Sequence, residues 1–165
     1  MKSVARALAM DERTWERHAN PWSAWTRVPV LPLLCLAIWA RVWIGWWCLM
    51  PVAGLVAWIW LNPRAFPPPA STGSWASRAV MGERVWLARD RVPIPGHHAL
   101  WAWLLTGVSA IGAPFLIWGL AALSLWPMLL GLVLMIGGKM WFLDRMVWLY
   151  DDMARTHPEY AAWLR

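Results

Sequence analysis

The residues that could support chemistry lie mainly in charged segments, which alternate with long apolar runs. Proton transfer in an active site requires a histidine or a carboxyl group held close to the reacting atom. The candidates for general acid–base work on a lipid headgroup are His98, Glu83, Asp144 and Asp151. The sequence has none of the HxxxH, HExxH or CxxC spacings that accompany common metal and redox sites. We therefore predict no strong catalytic centre and favour a non-catalytic protein.

Histidine is also a ligand of metal ions and of haem, and His18, His97 and His98 are the candidates for such a role. Consecutive side chains diverge by about 100° on a helix and point to opposite faces on a strand, so His97 and His98 should rarely bind one ion together. A site would need one of them to combine with His18 or with an acidic residue. We predict no metal site and no cofactor from the sequence. Cys35 and Cys48 are interpreted as packing residues.

Two apolar runs are each too long for a single membrane crossing. Residues 99–138 form a run of 40 residues without Asp, Glu, Lys or Arg, which as a helix would extend about 60 Å. Residues 28–61 form a run of 34 residues with one charge, Arg41, and would extend about 51 Å. The hydrocarbon core of a bilayer is about 30 Å thick. Each run therefore predicts a hairpin of two helices, with Arg41 at the outer turn of the first.

The basic residues predict how these hairpins are oriented. Of fifteen lysines and arginines, only Arg41 lies inside an apolar run. The positive-inside rule then assigns both termini and the central segment to the cytoplasm, in a multi-pass protein of a bacterial inner membrane. The net charge of +6 fits attraction to anionic lipid headgroups. Nucleic acid is not an expected partner, because the arginines are dispersed and no nucleic-acid module is recognisable.

The predicted fold is an all-α membrane protein with four transmembrane helices in two hairpins. Its segments are a cytoplasmic N-terminal segment (1–27), a first transmembrane hairpin (28–61), a cytoplasmic central loop (62–98), a second transmembrane hairpin (99–142) and a cytoplasmic amphipathic tail (143–165).

Two of these segments carry further predictions. In the central loop, residues 74–84 predict a short helix, and residues 85–87 and 92–94 predict a small β-hairpin. The tail should extend the fourth crossing as a helix, and its acidic residues should pair with arginines of the loop. The apolar line of that helix comprises Phe142, Met146, Leu149 and Met153.

Tryptophan is the most over-represented residue type, with eighteen copies. In the predicted topology, most of those near the hairpins fall at the outer turns or at the cytoplasmic ends of the crossings. An indole at the membrane boundary keeps its ring in apolar surroundings and its N–H in water. We therefore favour two aromatic belts over a ligand cage.

Four motifs carry a resemblance to a known family: HANPWS at residues 18–23, WLNPR at 60–64, GERVWL at 82–87 and WFLDRMVWLY at 141–150. With these motifs the chain resembles an uncharacterised prokaryotic family of small tryptophan-rich membrane proteins, a domain of unknown function. The resemblance spans nearly the whole chain beyond Met10. It implies a small membrane protein and brings no catalytic residues.

The favoured function is therefore that of a non-catalytic accessory or lipid-interacting protein of the inner membrane. The alternative is an interfacial enzyme, or a metal- or haem-binding protein, with a cytoplasmic-side site between the central loop and the C-terminal helix. Membrane lipids with anionic headgroups are the expected partners. A homo-oligomer and a partner membrane subunit both stay open, as does the choice of Met1 or Met10 as the true start.

Overall fold

The computed structural model describes residues 12–165, so the choice between Met1 and Met10 lies outside the described part of the chain. Within that part the ordered elements are helices, and no strand occurs. The helices are α1 (Glu12–His18), α2 (Pro21–Trp25), α3 (Val30–Trp39), α4 (Arg41–Ile44), α5 (Leu49–Ala65), α6 (Trp75–Ala88), α7 (Gly96–Ala121), α8 (Leu125–Thr156) and α9 (Pro158–Ala161), with a 3-10 turn at Gly45–Cys48. The predicted all-α class is confirmed.

Three helical segments of the described chain are long and apolar enough to cross a membrane: Pro21–Ala65, Gly96–Ala121 and Leu125–Thr156. The first is interrupted at Gly45, whose φ of 55° is a conformation that glycine adopts without a steric penalty. These lengths indicate a membrane protein.

The two ends of the first of these segments are in contact. The Ser23 hydroxyl donates a 2.8 Å hydrogen bond to Asn62 Oδ1, and Asn20 Nδ2 donates a 3.0 Å bond to the Pro67 carbonyl. The start of α2 therefore lies beside the end of α5. At the opposite end, Arg41 Nη2 donates to the Leu120 carbonyl, where it neutralises part of the negative C-terminal dipole of α7.

Helices α7 and α8 are antiparallel neighbours, and glycines allow their backbones to approach closely. A Cβ added at Gly112 would lie 2.8 Å from the carbonyl oxygen of Gly131, and one added at Gly138 would lie 2.5 Å from Ser109 Oγ. Small residues at such crossings are the usual means by which helices pack in a membrane, where lipid removes the hydrophobic driving force between them.

Helix α6 packs on the second half of α8 and forms the main core with it. A Cβ added at Gly82 would overlap the backbone of Met146, so the two helices touch directly at this point. The four residues of the predicted apolar line, Phe142, Met146, Leu149 and Met153, are all buried in this core.

The predicted β-hairpin in the central loop is wrong. Helix α6 continues to Ala88, so residues 85–87 are helical. Val85 and Trp86 are each only 1% exposed and pack against α8. Tertiary burial thus outweighs the strand preference of this β-branched and aromatic run.

Several exposed tryptophans lie at the turns between the long helices. Five of them, Trp43, Trp46, Trp47, Trp118 and Trp126, lie near the turns that join α3 to α5 and α7 to α8, and each is at least 59% exposed. Trp86, which lies outside the predicted crossings, is buried in the core between α6 and α8.

Because α6 and α8 touch at Gly82, adding a single methyl group there should destabilise the protein. Gly82→Ala should lower the free energy of unfolding in detergent micelles by about 1–3 kcal/mol, because the Cβ has only backbone to displace. Gly137→Ala on α8 is the control, since a Cβ there meets nothing within 4 Å, and it should be neutral or stabilising. Thermal unfolding of both variants measures the difference. Equal effects would show that the two helices are not in close contact at Gly82.

Candidate functional site

A cavity of about 610 Å³ lies between the first helical segment, α6 and the α7–α8 pair. Its charged or titratable lining residues are His18, Arg27, Glu83 and Lys139. Much of the remaining wall is apolar, with Val28, Leu31, Leu34, Ile59, Met135 and Ile136 among its members. The cavity therefore combines a charged region with an apolar surface, and its volume falls in the range of about 300–1,000 Å³ that is usual for ligand sites.

A chain of hydrogen bonds fixes the side chains of His18 and Arg27 in the cavity wall. Arg27 Nη1 lies 3.0 Å from His18 Nε2, and His18 Nδ1 lies 3.3 Å from Ser23 Oγ. Ser23 donates to Asn62 Oδ1 at 2.8 Å, and Asn62 Nδ2 donates to Thr26 Oγ1 at 2.8 Å. Ser23 and Asn62 are fully buried, so this chain joins α2 to α5 in an environment where unpaired polar groups are costly.

The direction of these bonds assigns the tautomer of His18. A guanidinium has only donors, so His18 Nε2 must accept from Arg27. The proton of a neutral imidazole is then on Nδ1, where it can be donated to Ser23. Burial lowers the pKa of His18 to about 3, and the charge of Arg27 acts in the same direction. His18 is therefore neutral at physiological pH and serves to orient Arg27.

Glu83 and Lys139, which also line the cavity, form an ion pair. Lys139 Nζ donates a 2.5 Å hydrogen bond to Glu83 Oε1. Burial raises the pKa of the Glu83 carboxyl, but the charge and hydrogen bond of Lys139, together with the charge of Arg27, outweigh burial and hold that pKa below its usual range. Glu83 is therefore ionised. It directly follows Gly82, the residue at which α6 touches α8.

The charges of the cavity sum to one positive charge when His18 is neutral, because Arg27 and Lys139 face the single carboxylate of Glu83. Arg27 is also held from its other side, where Nε donates a 2.8 Å bond to the Ser23 carbonyl. A fixed guanidinium beside a lysine is suited to binding an anion such as a phosphate or carboxylate.

The four acid–base candidates do not form one site, because each has its own partner. Asp151 accepts a 3.0 Å bond from Arg78 of α6, which confirms the expected pairing of a tail acid with a loop arginine. Asp144 pairs with Arg145 at 2.8 Å, and Glu83 pairs with Lys139. The fourth candidate, His98, pairs with Asp152 at 2.9 Å.

Among the residues that the structure describes, His97, His98 and Asp152 form a group that could hold a metal ion. One ligand atom from each lies within 4.8 Å of the others. The ring centroids of His97 and His98 are 4.1 Å apart, although their positions on a helix diverge. His18, the third candidate histidine, lies outside this group and lines the cavity.

Sequence reasoning missed two residues of the cavity and the network behind them. The sequence assigned Arg27 and Lys139 no role in a site, and it assigned none to Ser23 or Asn62. A signal was available: both Asn62 and Lys139 border apolar runs, where polar residues usually have a specific partner.

Comparison with known proteins gives a family without a known activity. A family of unknown function (DUF6653) matches residues 1–164, which confirms the resemblance carried by the four motifs. No curated protein and no solved structure matches the chain.

The buried neutral His18 predicts that stability decreases in mild acid. An unfolded histidine takes up a proton near pH 6.5, whereas folded His18 does so only near pH 3. Between these values the unfolded state binds more protons, so the free energy of unfolding falls as the pH falls, by up to about 1.4 kcal/mol per unit. Thermal unfolding of the wild type between about pH 7 and pH 4 measures this slope.

Two variants identify the group responsible. His18→Gln should have a shallower slope than the wild type, because the titrating ring is gone. Ser23→Ala keeps the ring and should keep the steeper slope at a lower overall stability. A His18→Gln protein with the wild-type slope would contradict a buried neutral His18.

Proposed function

Because the chain belongs to the DUF6653 family, whose function is unknown, we propose its role from its own geometry: a non-catalytic integral membrane protein that binds an anionic lipid in the central cavity. The observation that carries this proposal is the cavity itself, in which Arg27 and Lys139 face an apolar wall. The earlier expectation of a lipid-interacting protein leads to the same role.

The proposed topology has four crossings in two hairpins, with both termini on the cytoplasmic side of the inner membrane. The helical segment Pro21–Ala65 has 45 residues and would extend about 68 Å as one helix, more than twice the hydrocarbon core. The hydrogen bond between Ser23 and Asn62 supports a reversal inside this segment. The distribution of lysine and arginine supports the orientation.

In this topology the charged side of the cavity lies near the cytoplasmic boundary. Arg27 precedes α3, and Lys139 lies near the middle of α8, where it pairs with Glu83 of α6. Both are at the level where a lipid headgroup would meet the protein. The apolar wall extends from there along α3 and α8, where an acyl chain would lie.

The charge balance favours an anionic over a zwitterionic lipid. With His18 neutral, an incoming phosphate meets two cations and one carboxylate, and the net charge of the site is positive. The hydrogen bonds of Arg27 to His18 and Ser23 fix the guanidinium before a ligand arrives. Such preorganisation reduces the entropy that binding must overcome.

A non-catalytic role is supported by the separation of the acid–base candidates. Asp151 and Asp144 pair with arginines, and Glu83 pairs with Lys139. A general base needs a proton acceptor that faces the reacting group. The cavity offers charge and shape instead, which are the properties of a binding site.

The proposal predicts that the positive charge of the cavity decides which lipid is retained. Lys139→Gln brings the net charge of the cavity to zero and should reduce retained phosphatidylglycerol by about tenfold, since it removes one charge-assisted hydrogen bond. Phosphatidylcholine should be retained equally by both proteins. Quantitative mass spectrometry of the lipids that remain bound after purification from mixed vesicles measures the retained amount of each lipid in each protein.

The double variant Glu83→Gln/Lys139→Gln distinguishes the effect of the net charge of the cavity on lipid retention from the effect of losing the Lys139 side chain. It removes the same lysine but also the carboxylate, so the net charge returns to its original value. It should retain more phosphatidylglycerol than the single variant. Arg155→Gln serves as a surface control, because the Arg155 side chain is 79% exposed. Equal retention in the wild type and Lys139→Gln would refute the proposed lipid site.

A further inference from the structure

We propose that His97, His98 and Asp152 bind a divalent transition-metal ion of the zinc type. The three residues join two elements, since the histidines lie in the first turn of α7 and the aspartate lies near the end of α8. One potential ligand atom from each is within 4.8 Å of the other two. This cluster is separate from the lipid cavity, whose lining includes none of the three residues.

Two of the three ligands are already held in place. His98 is 4% exposed, and its Nε2 lies 2.9 Å from Asp152 Oδ2. Ligands bound at about 2.0–2.2 Å around a tetrahedral zinc ion are about 3.3–3.6 Å from one another. The pair would therefore open by less than 1 Å to admit the ion, a change within reach of side-chain rotation.

His97 completes the set from the solvent side. It is exposed, and its ring centroid lies 4.1 Å from that of His98. The offset of about 100° between adjacent helical positions is overcome because both rings turn toward Asp152. An exposed third ligand also gives the ion an entry path from water and leaves a fourth position for a water molecule.

The chemistry of the ligand atoms selects the class of metal. Two imidazole nitrogens with one carboxylate oxygen suit zinc and its first-row neighbours. Magnesium and calcium prefer sites built mainly from oxygen ligands, and this cluster supplies a single carboxylate. Zinc and cobalt are therefore the appropriate probes.

A competing cation is present but weakly held. Arg155 Nη1 lies 3.8 Å from Asp152 Oδ1, and the Arg155 side chain is 79% exposed. An exposed ion pair at that separation contributes little free energy. Arg155 also approaches the oxygen that does not pair with His98, so it can move away while the His98–Asp152 geometry is kept.

The test is a titration of the full chain with Zn²⁺ by calorimetry in detergent micelles, with Co²⁺ absorption as a spectroscopic readout of nitrogen and oxygen ligation. The protein must be purified without a histidine tag. His97→Ala and Asp152→Asn are the test variants, because the first is at an exposed position and the second keeps an oxygen that can accept from His98. His157→Ala is the control, since it removes a nearby histidine outside the cluster.

The wild type and His157→Ala should bind one equivalent of Zn²⁺, whereas His97→Ala and Asp152→Asn should bind at least about 100-fold more weakly. Bound zinc should also raise the unfolding temperature of the wild type, because it links the start of α7 to the end of α8. Two results would overturn the proposal: no Zn²⁺ binding by the wild type, or equal binding by the wild type and both test variants.

Discussion

The close contact of α6 with α8 is the constraint on which the cavity depends. Gly82 lies against the backbone of Met146 and leaves no room for a side chain. The next residue, Glu83, is thereby brought within hydrogen-bonding distance of Lys139. Helix α6 thus supplies the one carboxylate found among the described residues that line the cavity, and the separation of α6 and α8 determines the electrostatics of the site.

The cavity also depends on the polar groups between its apolar helices, because these groups must form hydrogen bonds within the protein. Ser23 and Asn62 meet this requirement by bonding to each other and to neighbouring side chains of the network. Their bonds orient His18, and His18 in turn accepts from Arg27. The same network therefore stabilises the contact between α2 and α5 and preorganises the cation that we assign to ligand binding. Removing a member of such a network costs more than its single bond, since it leaves its partner buried and unsatisfied.

Sequence reasoning predicted the parts of the fold that follow from periodicity and composition. The apolar line from Phe142 to Met153 repeats at helical spacing, and it is buried as expected. The 40-residue uncharged run of residues 99–138 was judged too long for one crossing, and the structure divides it between α7 and α8. Residues 85–87 were assigned wrongly, since their local preference is for a strand and their burial against α8 depends on contacts far along the chain. The partner of Lys139 was missed for the same reason: Glu83 is 56 residues away. Likewise, the approach of His97 to His98 depends on side-chain rotations that residue spacing does not reveal.

An experimental structure of the protein in nanodiscs that contain phosphatidylglycerol tests the central claim most directly. The proposed function predicts density for a lipid phosphate within hydrogen-bonding distance of both Arg27 and Lys139, with an acyl chain along α3 and α8. A cavity that contains only water, or one in which the lipid headgroup lies away from both cations, would contradict it.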